Sequence, residues 1–227
     1  MQTLPLQVSI SINEKIFLKD PESSDLGKKI IAYSIDMIHE LGFENFTLRK
    51  LGKEISSTEA SIYRYFESKH KLLLYLTSWY WSWMEYRLIF NLANILSPYE
   101  RLERALNLLT EQVKEDGNFK HINEVKLHHI VISESSKAYL TKDVDKENKD
   151  GVFAGYKQLV ARMSSIIREI NPNFNYPNML VSTVIEGIHH QRYFAEHLPR
   201  LTDKVKGEDS IIKFYKEMVF KVLKEEK

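Results

Sequence analysis

The segment Gly42–Leu72, GFENFTLRKLGKEISSTEASIYRYFESKHKL, decides the fold that the sequence predicts. Thr47 and Thr58 each precede a short stretch with apolar residues four apart, and a threonine hydroxyl can accept hydrogen bonds from the free N–H groups of a first helical turn. The pattern therefore predicts a helix over Leu48–Ile55 and a second helix over Glu59–Phe66. Helices this short are unstable alone, so they must pack against each other at a steep angle. This is the helix-turn-helix arrangement, in which one helix enters the DNA major groove.

The same residues resemble the N-terminal domain of the TetR family of bacterial repressors. The strongest similarity is the run Ile62-Tyr63-x-Tyr65-Phe66-x-Ser68-Lys69-x-x-Leu72, which is similar to the family pattern LYxHFxSKxxL. The specific motif covers Leu26–Leu72, and the remainder resembles the family only in length and helical character. Ser56 stands where the family usually has glycine, which tolerates positive φ, and this difference bears on the tilt of the second helix.

The resemblance implies a set of residues that face DNA. Physical roles fit them: Arg49 can reach a phosphate or base edge, Glu59 can accept from cytosine N4, and Lys69 offers a point charge to the backbone. The tyrosine hydroxyls suit phosphate oxygens, and the alternative for both tyrosines is a place at the edge of the core. The predicted DNA-binding residues are Thr47, Arg49, Thr58, Glu59, Ser61, Tyr63, Tyr65 and Lys69.

Composition sets broad limits. The 227 residues are 43% hydrophobic and 28% charged, which is typical of a globular protein, and the net charge is +1. The absence of cysteine excludes a disulfide framework and cysteine-based metal sites, and it is compatible with a reducing cytosol. No apolar run is long enough to span a membrane, and the first residues lack a basic segment before an apolar one. A cytoplasmic protein is therefore predicted.

Apolar residues at three- and four-residue spacing continue along the chain and predict an all-α protein of about nine helices. We predict an N-terminal extension (1–23), a helix-turn-helix head (24–71) and a helical effector-binding and dimerisation domain (72–227). In the extension, the alternation in VSISI (8–12) favours a short strand or loose hairpin, and the alternative is a disordered arm. The first helix runs from Ser24 to Leu41 and ends at Gly42. The fourth runs from Lys69 to Leu96 and connects the head to the second domain. The polar segment 140–151 is predicted to be a loop or a frayed helix start.

The fourth helix is rich in aromatic residues, which has two interpretations. One is packing inside a helical bundle. The other is a pocket for an apolar or aromatic small molecule, which the resemblance places in the C-terminal helices. The predicted ligand-binding residues are Trp83, Tyr86, His128 and Tyr156.

Two alternatives to a regulator remain open. Glu186 and His189 have the Glu-x-x-His spacing of carboxylate-bridged di-iron bundles, and Glu67 and His70 repeat it, so a metal-dependent bundle enzyme is one alternative. The further carboxylates of such a site are not evident, and structural histidines are favoured. The other alternative is a ligand-free module that binds a partner protein. No metal, cofactor or catalytic residue is predicted.

The resemblance and the motif together predict a DNA-binding transcriptional repressor that binds a palindromic operator as a homodimer and is released by a small molecule. Two heads are needed because one head buries too little DNA for specific binding. The last two helices carry apolar faces that can close a two-fold bundle. The predicted interface residues are Ile188, Ala195, Tyr215, Met218 and Val222.

Overall fold

The computed structural model describes residues 10–224, and within that range all regular structure is helical. The helices are α1 (Asp25–Asn45), α2 (Leu48–Glu54), α3 (Glu59–Tyr63), α4 (Lys69–Leu92), α5 (Pro98–Thr110), α6 (Glu124–Glu134), α7 (Ser136–Tyr139), α8 (Val144–Lys149), α9 (Ala154–Ile170), α10 (Pro177–His197) and α11 (Ser210–Val222). The all-α prediction is confirmed.

The N-terminal segment begins with two 3-10 helices, Glu14–Ile16 and Pro21–Ser23. The predicted strand over 8–12 begins outside the described residues, and its last three residues form no strand. Ser24 caps α1, because its hydroxyl accepts from the Gly27 N–H at 3.2 Å. A β-carbon at Gly27 would lie 2.1 Å from a backbone oxygen of the second 3-10 helix. Glycine therefore allows the segment to pack directly on α1.

Several helix limits differ from the predicted ones, among them the end of α4 at Leu92 rather than Leu96, and residues 10–224 form eleven α-helices rather than about nine. α3 ends at Tyr63 rather than Phe66, and α1 continues past Gly42, which forms a kink with φ 74°. The polar segment after Leu140 contains the short helix α8. A buried carboxylate explains why this segment is ordered: Glu147 accepts from His70 at 3.0 Å and pairs with Lys71 at 3.2 Å.

The chain forms two packing units. The first comprises residues up to Trp83 together with Val113–Ala154, and the second comprises Met84–Gln112 and Gly155–Lys227. These units group the helices differently from the predicted domains, 24–71 and 72–227, which are functional divisions and stay a prediction.

In the first unit, α1 packs on α2 and α6, and α2 packs on α3. The core also includes the aromatic side chains of α4, among them Trp79, which stacks on Trp83 with ring centroids 6.0 Å apart and meets Phe119 edge-on. In the second unit, α5, α10 and α11 pack against one another. Within residues 10–224, no helix is both long and apolar enough to cross a bilayer.

A buried histidine in the second unit is expected to make stability depend on pH. Burial, with a smaller contribution from His190, lowers the pKa of His189 from 6.5 to about 4. The unfolded chain therefore binds a proton at a higher pH than the folded chain. The stability that depends on a neutral His189 is fully present above pH 6.5 and is lost as the pH falls toward 4. The loss in the free energy of unfolding is roughly 3 kcal/mol, at about 1.36 kcal/mol per pKa unit.

Urea unfolding of the wild type and of His189→Gln at pH 7 and pH 4.5 measures this dependence. We expect the free energy of unfolding to fall less between the two pH values in His189→Gln. The matched control is His190→Gln, which removes the exposed neighbour on the same helix. Equal losses in all three proteins would contradict the assignment.

Candidate DNA-binding site

Two threonine caps define the helix-turn-helix pair. Thr47 Oγ1 accepts from the Lys50 N–H and Thr58 Oγ1 from the Ser61 N–H, each at 3.1 Å. Thr58 Oγ1 also lies 2.8 Å from Ser61 Oγ. These side chains satisfy backbone donors that two such short helices leave free.

The turn between the helices closes around Ser56. Its φ is 54°, in the left-handed region that glycine usually occupies in such turns. The Ser57 N–H then donates to the Gly52 carbonyl at 2.8 Å. A β-carbon at Gly52 would lie 3.1 Å from the Ser57 carbonyl oxygen, so α2 and the turn lie in close contact. Serine therefore adopts a left-handed conformation that strains a residue with a side chain.

The outward side of the pair carries cations and hydrogen-bonding groups. On α2, burial of Leu51 leaves Arg49 and Lys53 exposed one helical turn apart. On α3, Tyr63 is 45% exposed and its hydroxyl lies 3.4 Å from the half-buried Glu59 carboxylate. This arrangement can contact phosphates and base edges. Lys53 is not among the predicted contact residues, although its four-residue spacing from Arg49 already indicates the same face.

The structure places Tyr65 in the core of the head rather than on its outward side. Its side chain is 3% exposed, and its hydroxyl lies 2.8 Å from Ser24 Oγ, the cap of α1. The Lys19 ammonium lies 5.1 Å from its ring centroid. The prediction of a hydroxyl turned to a phosphate does not fit this position, because the hydroxyl is already bonded inside the head.

Lys69 is also engaged within the head. Its ammonium donates to the carbonyls of Phe43 at 3.0 Å and of Glu44 and Phe46 at 3.4 Å. Carbonyls at the end of a helix attract a cation, so the lysine caps the end of α1. A phosphate contact would require these bonds to be given up.

The predicted ligand-binding residues belong to both packing units. In the first unit, Trp83 is 1% exposed with its indole 3.4 Å from Asp116, and the half-buried His128 bonds the Tyr80 hydroxyl at 2.8 Å. In the second, the Tyr86 ring packs against Phe90 at a tilt of 58°, and the Tyr156 hydroxyl donates to Glu186 at 3.3 Å. Each unit thus holds two of the four residues within its own packing.

A pocket of about 380 Å³ lies elsewhere in the second unit, where α11 meets the segment before it. It contains none of the four predicted ligand-binding residues. Its lining includes Leu201, Asp203, Val205, Glu208, Ile211 and Phe214. Lys213, also in the lining, pairs with Glu208 at 3.1 Å.

The predicted dimer residues fall into two groups. Ile188 and Tyr215 are 1% and 5% exposed, so they form the core of the second unit and offer no surface to a second chain. Ala195 and Met218 are half-buried, and Val222 is 46% exposed.

The prediction failed at Tyr215 because α11 has two apolar stripes. The buried stripe is Ile211, Tyr215 and Val219, and the outward stripe is Phe214, Met218 and Val222. The predicted interface combined residues from the buried stripe and the outward stripe. Phe214, 59% exposed, was missed although it begins the outward four-residue repeat.

The Glu186–His189 spacing does not build a metal site. Glu186 accepts a hydrogen bond from Tyr156 and His189 is buried. Among residues 10–224, no three histidine or acidic side chains are grouped to hold a metal ion.

The chain was compared with protein-family models, with curated proteins and with solved structures. Residues 30–76 match the family model described as bacterial regulatory proteins, tetR family. A search of the curated proteins finds no match to the chain.

Solved structures share the fold over most of the chain. AibR in complex with isovaleryl coenzyme A and operator DNA has a TM-score of 0.55 at 16% identity, covering 85% of this chain and 96% of AibR. A putative transcriptional regulator from Saccharomonospora viridis in complex with choline gives 0.55 at 17% identity, covering 87% and 95%. The ketosteroid transcriptional regulator KstR2 of Mycobacterium tuberculosis gives 0.53 at 13%, covering 95% and 96%.

At these identities the structural likeness shows the fold alone. The match to the family model covers residues that run from the second turn of α1 into α4 and include the whole helix-turn-helix pair. With its capped helices and exposed cations, this region is a helix-turn-helix DNA-binding domain similar to that of bacterial tetR-family regulatory proteins, and the chain is a DNA-binding transcriptional regulator.

Proposed function

We propose that the chain is a repressor that binds a palindromic DNA operator as a homodimer and is released by a small molecule. The observation that carries the DNA-binding role is the exposed side of the pair, with Arg49 and Lys53 on α2 and the hydrogen-bonding groups of Glu59 and Tyr63 on α3. Such a protein acts by binding rather than by catalysis, and it works in the cytoplasm, where bacterial DNA lies.

Within this surface we assign two kinds of contact. Arg49 and Lys53 are exposed cations that suit phosphate oxygens, and they set the position of the head on the duplex. Glu59 lies in the first turn of α3, where a recognition helix usually meets base edges. A carboxylate accepts hydrogen bonds and repels phosphates, so Glu59 suits a cytosine N4 amino group. Thr47, Thr58 and Ser61 complete the proposed contact set from the two helix starts.

Glu59→Ala is expected to change which base the operator prefers at one position, by roughly 1–3 kcal/mol, because a single base contact is lost. The measurement is the affinity of the wild type and of Glu59→Ala for a series of operator duplexes, each changed at one base pair. Lys53→Ala is the control, since loss of a phosphate contact weakens binding to all sequences alike and lowers the salt slope by about one. Equal losses of Glu59→Ala on operator and random duplexes would rule out base recognition by Glu59.

Dimerisation is proposed to use the outward faces of α10 and α11. The stripe Phe214, Met218 and Val222 carries two large exposed apolar side chains, and α10 adds the exposed Met179 and Tyr193. Apolar faces of this kind are typical of interfaces between identical chains, in which one patch meets its own copy.

Phe214→Asp is expected to shift the protein toward the monomer in sedimentation velocity at micromolar concentration, because it places a charge in the interface. Lys213→Asp, which adds an acidic group at the adjacent exposed position, is the control and should remain dimeric. A wild type that is monomeric while it binds the operator would contradict the dimer proposal.

The effector is proposed to be a small apolar or aromatic molecule that binds the C-terminal helices. Structures of the same fold hold isovaleryl coenzyme A in AibR and choline in the S. viridis regulator, which supports a ligand site in this fold. The candidate contacts stay those predicted from the sequence, Trp83 and His128 within the first unit and Tyr86 and Tyr156 within the second. A ligand that favours a state with weaker DNA binding lowers operator affinity, and DNA lowers ligand affinity equally, by about 1–3 kcal/mol in typical cases.

A further inference from the structure

The path of the chain from α1 into the helix-turn-helix pair depends on one kink. Gly42 has φ 74° and ψ 155°, so the regular course of α1 stops there. Phe43–Asn45 make one further turn, and Thr47 then caps α2. The direction in which α2 leaves α1 is therefore set between Gly42 and Thr47.

A side chain from α6 holds the first peptide group after the kink. Glu134 Oε1 accepts from the Phe43 N–H at 3.1 Å, and the Glu134 side chain is 11% exposed. Its other oxygen, Oε2, lies 2.6 Å from Lys137 Nζ. The contact is long-range in sequence, and it takes up a backbone donor in a buried position.

The carbonyl and the ring of Phe43 are contacted by a side chain of α4. The Lys69 ammonium donates to the Phe43 carbonyl at 3.0 Å and lies 4.6 Å from the Phe43 ring centroid. Phe43 is 6% exposed. Its N–H is thus fixed by α6, its carbonyl by the first residue of α4, and its ring by the core.

We propose that Glu134 is a positioning residue of the DNA-binding head, which acts by fixing the Phe43 peptide and through it the angle of α2 and α3. Lys69 fixes the same peptide from the other side and is a positioning residue rather than a phosphate contact. The inference rests on the proposed function in that operator binding is one of its readouts. It assigns to α6, outside the family-matched residues 30–76, a direct role in the geometry of DNA recognition.

Variants at Glu134 separate positioning from general stability. The probes are the duplex that the wild type enriches from a random-sequence pool, and calf thymus DNA as non-specific DNA. Glu134→Ala removes the acceptor and is expected to weaken binding to the enriched duplex by about tenfold or more, with less than a twofold change on calf thymus DNA. Glu134→Gln keeps an oxygen that can accept from Phe43 N–H, so it should bind within about threefold of the wild type.

A control variant and a second positioning variant test the neighbouring charges. Glu44→Ala removes the other carboxylate bonded to Lys137, at 3.0 Å, without touching the Phe43 N–H, and should leave both affinities within twofold. Lys69→Met should weaken binding to the enriched duplex and leave the salt slope unchanged. A salt slope lower by about one would instead show that Lys69 contacts a phosphate.

Hydrogen exchange of the Phe43 amide gives a readout that needs no DNA. Exchange should be at least tenfold faster in Glu134→Ala and near the wild-type rate in Glu134→Gln. An unchanged exchange rate in Glu134→Ala, or the same loss of operator affinity in the alanine and glutamine variants, would overturn the inference. Should Glu134→Ala fail to fold, the glutamine variant and Lys69→Met decide. A wild type that enriches no sequence defeats the proposed function, whereas the exchange result still tests the position of Glu134.

Discussion

Ile62→Ala is expected to remove the preference for the operator over random DNA and to lower the free energy of unfolding by about 2–5 kcal/mol. α3 has only five residues, and Ile62, which is fully buried, is the one residue within it that reaches the core. A helix this short has no stability of its own, so its position depends on that side chain and on the Thr58 cap. Removing the side chain leaves a cavity beneath the helix proposed to read the bases.

Urea unfolding and competition binding against random duplex measure the two effects of Ile62→Ala. Ile89→Ala makes the same chemical change at a position on α4 that is 45% exposed, and it should change the free energy of unfolding by less than about 1 kcal/mol. An Ile62→Ala protein with wild-type operator preference would show that α3 is not the recognition helix.

Trp83→Ala is expected to lower the free energy of unfolding by about 3–5 kcal/mol. The indole is 1% exposed, stacks on Trp79 and lies between Tyr80 and Asp116 within the first unit. Its replacement by a methyl group removes these contacts and leaves a large cavity. The midpoint of urea denaturation provides the measurement, and Trp83→Phe should recover much of the loss.

Phe90→Ala is the matched control for Trp83, because it removes an aromatic ring from the same helix at a position that is 65% exposed. A Trp83→Ala protein as stable as Phe90→Ala would contradict the core assignment. The same variant tests the proposed effector pocket. If Trp83→Ala stays folded and still releases DNA at the wild-type ligand concentration, Trp83 does not contact the effector.

The local signals in the sequence were sufficient for the helix-turn-helix pair. The caps at Thr47 and Thr58 are formed by the residues themselves, within three positions of the N–H groups that they bond. Patterns of this kind depend on neighbouring residues alone, and they are therefore readable without a structure. The same holds for the start of α10 at Pro177, because proline suits a first turn.

Long-range contacts decide what the sequence could not show. Tyr65 bonds Ser24, which lies 41 positions earlier, and Glu134 bonds Phe43, which lies 91 positions earlier. A tyrosine that faces DNA and one that bonds the capping serine of a helix have the same local pattern. Likewise, α11 carries two apolar stripes, and only packing against α5 and α10 identifies the buried one.

Selection of duplexes from a random-sequence pool by the purified protein, followed by titration of the enriched duplex, tests the central claim most directly. The account predicts a palindromic sequence with half-sites about one helical turn apart, bound by two chains. Affinity should fall steeply with salt, and Ile62→Ala should enrich nothing. Equal affinity of the wild type for enriched and random duplexes, or enrichment that is unchanged in Ile62→Ala, would contradict the assignment of the helix-turn-helix pair as a sequence-specific DNA-binding site.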